Sequence, residues 1–315
     1  MIGYSQAHRA SWLAVAGVAA ALLAAGCGSS SSGDATSATV DSSLGTHKAR
    51  LVVVGDIVCA PLGPVGDRCH QASTYALAAK IKPDHVLVLG DTQYPNGALR
   101  LYRRSYAATW GKLRSITFPV PGNHEYKTGG ATGYFDYFGA AAGHRKQGWH
   151  ASTIGGWRVI GLNSQCGEVG GCGTGSAQAK WLKGELANHA TKCTLAIWHF
   201  PRFSSGPHRN HPSMSVLWSE LEKSKADVVF SGHDHEYERL AAMTNDGKLS
   251  DSGIPSFVVG TGGVERYPTF KAGHGSLAHN RGYGVLQLDL YTRGYRWAYV
   301  QTDGKVADSG QAACR

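Results

Sequence analysis

The chain has 315 residues, enough to bury a full core in one large domain or two small ones. It carries 31 Lys and Arg against 22 Asp and Glu, and its basic residues never run beyond pairs such as Arg103-Arg104. Such a mildly basic, solvated surface can help to draw in anionic substrates, and no nucleic-acid partner is expected from it.

Residues 1–26 read as an export signal. His8 and Arg9 precede an apolar run from Trp12 to Ala25, too short for a comfortable membrane span and suited to a signal core. The run ends Leu22-Leu23-Ala24-Ala25-Gly26-Cys27 and turns to Gly28-Ser29-Ser30-Ser31-Ser32. Small residues before a Cys, then a Ser/Gly tract, resemble the lipobox of bacterial lipoproteins. That resemblance implies a lipidated Cys27 at the mature N-terminus and an extracytoplasmic protein anchored to the outer face of the bacterial cell membrane. Ordinary secretion is the alternative, with Cys27 incidental. Residues 27–48 are poor in large apolar groups and read as a Ser/Gly-rich tether, reaching on the order of 25 Å. The other six cysteines, in an exported chain, point to disulfides, with 15 connectivities open. Proximity suggests Cys59–Cys69 and Cys166–Cys172, leaving Cys193–Cys314.

A single domain is expected over 49–315. It opens on Leu51-Val52-Val53-Val54, a fully apolar run that reads as a buried strand. A helix near 71–81, a strand at 85–89, a helix near 98–110 and a strand at 116–120 give α/β alternation. Segments 149–154 and 157–162, separated by Gly155-Gly156, look like a hairpin. Helices near 176–189 and 213–224 alternate with strands at 194–198 and 227–230. Meander strands at 256–260, 283–290 and 294–301 follow, with Asp303-Gly304 as a hairpin turn. Two mixed sheets flanked by helices accommodate this order. His144, His150, His274 and His279 read as surface or loop residues.

Five short blocks interrupt the apolar segments: Gly55-Asp56; Gly90-Asp91-Thr92-Gln93-Tyr94; Gly122-Asn123-His124-Glu125; His199; and Gly232-His233-Asp234-His235. Oxygen and imidazole ligands thus stand where strands end, the place where open α/β sheets hold their sites. A Gly-Asp by itself is a turn far more often than a ligand. A carboxylate can nevertheless bridge two cations about 3.5–4 Å apart. The two imidazoles of His233 and His235 share one side of an extended segment, and neutral imidazole suits Zn, Fe and Mn alike.

In this order the blocks resemble the calcineurin-like metallophosphoesterases, whose pattern is GD, GDxx, GNH(D/E), H and GHxH. Tyr94 and the run His233-Asp234-His235-Glu236-Tyr237-Glu238-Arg239 narrow the resemblance to the purple acid phosphatases. The resemblance implies an α/β four-layer αββα sandwich of two mixed sheets flanked by helices. It implies Asp56, Asp91, Tyr94 and His235 on one metal, and Asp91, Asn123, His199 and His233 on a second, with Asp91 bridging. It further implies an Fe(III) paired with Fe, Zn or Mn(II), and in-line attack on a phosphate monoester by a metal-activated hydroxide. The bland alternative for Tyr94 is a buried aromatic with a hydrogen-bonded hydroxyl.

The loop from His199 to Arg209 resembles the substrate loop of the plant enzymes, which carries two adjacent histidines; here they are His208 and Arg209. An Arg can clamp phosphate oxygens but cannot donate a proton to a leaving group. His124 and His208 are therefore the candidate proton donors, and Arg209 and His211 the candidate substrate-binding residues. Because the metal blocks start just after the tether, no counterpart of the plant enzymes' fibronectin-like N-terminal domain is expected. Two other readings stay open: a phosphodiesterase or nucleotidase on the same scaffold, and a non-catalytic surface-binding lipoprotein.

Overall fold

The computed structural model describes residues 42–59, 69–268 and 271–315. The export segment, Cys27 and most of the tether lie outside the described residues. The tether was expected to reach residue 48, but Ser42–Leu44 already forms a helical turn with Leu44 buried, and the first strand starts at His47. Leu44 accounts for the difference: its backbone carbonyl accepts from Arg293 and its side chain is packed away.

Two mixed sheets form the frame. The first has the order β13 (Val306–Ala313), β12 (Gly294–Gln301), β11 (Gly284–Tyr291), β1 (His47–Val54), β2 (His85–Val88), β3 (Thr117–Pro119). The second runs β10 (Ser276–Asn280), β8 (Tyr237–Met243), β9 (Ile254–Val259), β7 (Val228–Ser231), β6 (Thr194–Trp198), β5 (Trp157–Gly161), β4 (His150–Ile154). Within the first, β1, β2 and β3 are parallel; within the second, β5, β6, β7 and β9 are parallel.

Strand alternation explains why the inner strands read as unbroken apolar runs. In β1, Leu51 and Val53 join the core between the sheets, while Val52 and Val54 face the opposite way. That second face is covered by α1 (Gln71–Ile81), α2 (Leu99–Leu101), α3 (Asn123–Tyr126) and α4 (Thr132–Phe138), through Ala78, Leu99, Tyr126 and Tyr134. In β6, Leu195 and Ile197 point into the intersheet core, and Ala196 and Trp198 meet α5 (Ala177–Asn188) and α6 (Ser215–Lys223) through Leu182, Leu217, Trp218 and Leu221. The layers are helix, sheet, sheet, helix, so a central strand buries both faces. Each such Val or Leu contributes about 1.5–3 kcal/mol.

Three disulfides close Cys59–Cys69, Cys166–Cys172 and Cys193–Cys314, the pairing that proximity suggested. Differences from the sequence expectation have local causes. The helix expected near 98–110 is broken into α2, a π-type turn over Tyr102–Tyr106 and a 3-10 turn over Trp110–Ile116. Its aromatic residues pack against α4, with Tyr102 stacked on Tyr137 at 4.8 Å. Strand β8 carries Glu238 and Arg239 inside the fold, and Arg239 is paired with Asp308 of β13 at 2.8 Å. Strand β13 is a polar edge whose residues alternate in exposure.

His150 was expected at the surface or in a loop, but it starts β4 with both ring nitrogens buried and unpartnered, 4.2 Å from the Phe118 ring. Burial pushes its imidazole down to about 4. The folded state therefore favours the neutral ring, and the stability this contributes is full above pH 6.5 and lost as pH falls towards 4. Replacing His150 with Leu should shrink the loss of stability between pH 7 and pH 4.5 by about 2 kcal/mol. Urea midpoints of both proteins at the two pH values measure this, and parallel losses would refute it.

Candidate active site

Asp56, Asp91 and Asn123 follow the C-terminal ends of the parallel strands β1, β2 and β3, and His199 and His233 follow β6 and β7. The C-terminal edges of the two sheets meet there. Gly55 N–H donates to Val259 O at 2.8 Å, and Gly262, from the Gly-rich segment after β9, donates to Gly55 O at 3.0 Å. Asp56, Asp91 and His233 all hold left-handed backbone, at φ 58°, 47° and 73°. Non-glycine residues rarely adopt it, and such strain collects at functional sites. Gly90 has φ 89°, and a Cβ there would lie 2.8 Å from both His199 Nδ1 and Gly122 N. Only glycine lets the two loops approach so closely.

The expected ligands form two groups that share one oxygen. In the first, the Tyr94 hydroxyl is 2.9 Å from Asp56 Oδ1, 2.9 Å from Asp91 Oδ2 and 3.2 Å from His235 Nε2. In the second, His199 Nε2 is 3.3 Å from Asp91 Oδ2 and 3.1 Å from Asn123 Oδ1, and His233 closes the group within 4.8 Å of Asp91 and His199. Carbonyls fix the tautomers. His199 Nδ1 donates to Leu89 O at 2.8 Å, and His235 Nδ1 donates to Glu265 O at 2.7 Å, leaving the Nε2 atoms pointing inward.

Electrostatics make this donor set suitable for cations. Two carboxylates, a phenol oxygen and an imidazole lone pair converge in the first group around a single hydroxyl proton. In the second, an imidazole faces two oxygen acceptors. Burial raises Tyr94 well above the usual phenol range, and the charges of Asp56 and Asp91 push it further. Burial alone would lower His199, but the charge and hydrogen bond of Asp91 outweigh it and lift the imidazole to about 9. Burial would raise Asp91, yet His199 and then His124 draw it well below the ordinary carboxylate range. Negative oxygens this dense and buried are stabilised by positive charge, and hard oxygen with imidazole is the donor chemistry of Fe, Zn and Mn. The residues fit a pair of metal ions.

The candidate substrate residues divide. His124 lies beside the centre, its ring 4.0 Å from Tyr94, with Nδ1 donating to Pro95 O at 2.7 Å and Lys127 Nζ 3.1 Å from Nε2. The His208 ring stacks on His233 at 4.2 Å, and His211 stands 5.2 Å from the same ring while stacking on Phe200 at 4.4 Å. Arg209 is not brought into the group. It is exposed, in a turn with φ 62°, and only its backbone N–H is bonded, to Gly206 O.

Two residues inside the motif blocks, to which the sequence assigned no role, prove to hold the site together. Glu125 is fully buried, and its carboxylate accepts the backbone N–H groups of Gly122 (2.7 Å), Asp91 (2.9 Å) and Thr92 (2.9 Å). The Thr92 hydroxyl at 2.8 Å and the Tyr102 hydroxyl at 3.0 Å complete its shell. One side chain therefore ties the Asp91 loop to the Asn123 loop. Its signal was the Glu three residues after the cap position of α3, half of a capping box. The second is Asp234, which accepts from the Ser204 hydroxyl at 2.5 Å and from His208 N–H at 3.1 Å, fixing the loop that carries His208.

This geometry has known counterparts. Residues 49–237 match the family model for calcineurin-like phosphoesterases. The chain belongs to that family. It is 27% identical to purple acid phosphatase 15 of Arabidopsis thaliana over 259 residues, covering 70% of this chain and 46% of that protein. It is 28% identical over 156 residues to the Fe(3+)-Zn(2+) purple acid phosphatase 12 of the same plant, covering 41% of this chain and 33% of that one. Among solved structures, purple acid phosphatase PPD1 from yellow lupin (Lupinus luteus) seeds superposes with a TM-score of 0.67 at 19% identity, over 84% of this chain and 53% of that chain. The chain thus spans about half the length of that purple acid phosphatase 15. The family fold matches what the structure displays: four layers, with the phosphoesterase blocks at the strand ends.

In this calcineurin-like frame Glu125 is testable apart from any metal. Glu125→Gln keeps the shape but turns one oxygen into a donor facing backbone N–H groups. Stability should fall by about 2–3 kcal/mol. Chemical denaturation of the metal-free protein reads this directly, and an unchanged midpoint would show that the carboxylate holds nothing together.

Proposed function

We propose that this protein is a dinuclear-metal phosphoesterase that hydrolyses phosphate monoesters outside the cytoplasm. The observation that carries the reading is Asp91 Oδ2, which stands 2.9 Å from the Tyr94 hydroxyl and 3.3 Å from His199 Nε2 and so belongs to both donor groups. Asp56, Asp91, Tyr94 and His235 would hold one ion, and Asp91, Asn123, His199 and His233 the other. Tyr94 favours Fe(III) at the first position, as does the likeness to a relative described as an Fe(3+)-Zn(2+) enzyme; Fe, Zn or Mn(II) suits the second. When bound, the two ions lower the pKa of a water and neutralise charge growing on the phosphoryl oxygens.

The chain's own groups supply orientation and the proton. Hydrolysis bonds the water oxygen to phosphorus and breaks the P–O bond to the alcohol, whose oxygen leaves with a proton. His208, exposed and stacked on His233, is the donor in this reading, while His124 has Lys127 Nζ at 3.1 Å from its Nε2 and acts on the bound phosphate. Asp234 sets the position of His208. Three disulfides and the N-terminal signal support an oxidising, extracytoplasmic compartment, with Cys27 as the proposed lipid anchor. The catalytic domain would run from Ser42 to Arg315.

Asp91→Asn should abolish phosphatase activity and leave fewer than two metal ions per chain by elemental analysis; full activity in that variant would overturn the reading. His208→Ala should cost about 10²-fold or more on an alkyl phosphate and far less on 4-nitrophenyl phosphate, whose leaving group needs no proton. Equal losses on both esters would remove His208 from the donor role.

A further inference from the structure

Beside the metal centre lies a groove of about 280 Å³ that the metal-ligand reading leaves without a role. One wall is Ser164, Gln165 and the turn from Cys166 to Glu168, closed on itself by the Cys166–Cys172 disulfide. The other wall is Phe200, His211 and Ser213. Phe200 follows the proposed ligand His199 directly, and its ring lies 4.4 Å from that of His233. The groove therefore borders the place where an ester bond would be cut.

Its chemistry is that of hydroxyl recognition. Gln165 is only 8% exposed, yet its Nε2 has no hydrogen-bond partner, and His211 Nε2 is likewise buried and unpartnered. A buried amide donor left unpaired costs about 1–3 kcal/mol, which a ligand oxygen would offset. Ser164 Oγ accepts Phe200 N–H at 2.9 Å and keeps its own proton to donate. Glu168, exposed on the rim, adds an acceptor. Among the described residues no Lys or Arg lines the groove, and the carboxylate of Glu168 disfavours a second phosphate. Phe200 is the only aromatic hydrocarbon ring there among the described residues, and His211 already stacks on it. The volume lies just below the usual range of ligand pockets, suiting one ring-sized group rather than a polymer.

We infer that this groove is the leaving-group subsite, and that it takes an uncharged polyhydroxylated alcohol, a sugar or polyol presented as its monophosphate ester. The inference rests on the phosphomonoesterase reading for its orientation, with phosphate at the metals and alcohol against Gln165. Gln165 is then a specificity-determining residue, because its amide pays off only when an oxygen meets it.

The test uses probes that cannot be hydrolysed: a hexose 6-phosphonate and phenylphosphonate, titrated calorimetrically into the purified metal-loaded protein. The sugar phosphonate should bind about 10-fold more tightly than phenylphosphonate, and Gln165→Leu should erase that preference. Glu168→Lys, on an exposed turn that tolerates the change, should tighten binding of a hexose bearing a second phosphate by about 5-fold or more. Equal binding of the two phosphonates, or a preference unchanged in Gln165→Leu, would overturn the subsite. Absence of ester hydrolysis alongside an intact sugar preference would overturn the hydrolase reading and leave the subsite standing.

Discussion

The shared carboxylate of Asp91 is the constraint around which the rest is arranged. One of its oxygens serves both donor groups, and the other accepts His124 N–H at 2.8 Å. A carboxylate with both oxygens engaged cannot turn, so its backbone must arrive at one angle. That angle is left-handed, and a left-handed Asp costs on the order of 1–3 kcal/mol. Glu125 offsets this from beneath by accepting the amides of Asp91 and Thr92, while Gly90 and Gly122 keep the neighbouring backbone free of Cβ atoms. A carboxylate acceptor thus fixes the loop that carries a carboxylate ligand. Two negative groups so close and so buried are tolerable only where positive charge balances them, and this is the physical reason a pair of cations suits the site.

The two-sheet frame follows from the same demand. A single parallel sheet would present ligands from one row of strand ends. Here β1, β2 and β3 bring the oxygen groups, and β6 and β7 bring imidazoles, from facing edges. Links between Gly55 and Val259, and between His199 and Leu89, cross from one sheet to the other at the level of the site. The intersheet core therefore sets the distance between these oxygen and nitrogen groups. Leu89 and Val259 belong to that core through their side chains and reach the site through their backbone carbonyls, so core packing and site geometry are linked.

Much of this was legible in the sequence, for identifiable reasons. Strands such as β1 and β6 are buried on both faces, so composition alone marks them. The ligands stand directly after those runs, and their residue types are unusual enough to stand out. What escaped detection lacks such contrast. β8 mixes Glu238 and Arg239 with apolar residues because its charges are paired with neighbouring elements: Glu238 accepts Ser205 N–H at 2.9 Å and Arg239 binds Asp308. β13 is a polar edge, and its register depends on β12 across the chain rather than on its own pattern. The broken helix near 98–110 answers to aromatic packing, which periodicity does not report. Arg209 was assigned through the likeness of its loop to the plant enzymes' substrate loop, and here a left-handed turn leaves it exposed, outside the donor groups.

The loop from His199 to His211 shows how the outer parts of the site acquire definition without strands. Its two ends are fixed, at His199 by β6 and at His211 by a backbone bond to Pro201 O. Between them, Asp234 and Glu238 accept from Ser204, Ser205 and His208. These acceptors belong to the segment that also carries His233 and His235, so the loop's position is referred to the ligands themselves. The same loop ends in His211, whose ring forms part of the adjoining groove. The proposed ligands His233 and His235, the proposed donor His208 and one wall of the groove are consequently tied into one hydrogen-bonded unit. The far wall, the short disulfide turn from Cys166 to Cys172, stands outside that unit, so its chemistry can change without moving a proposed ligand.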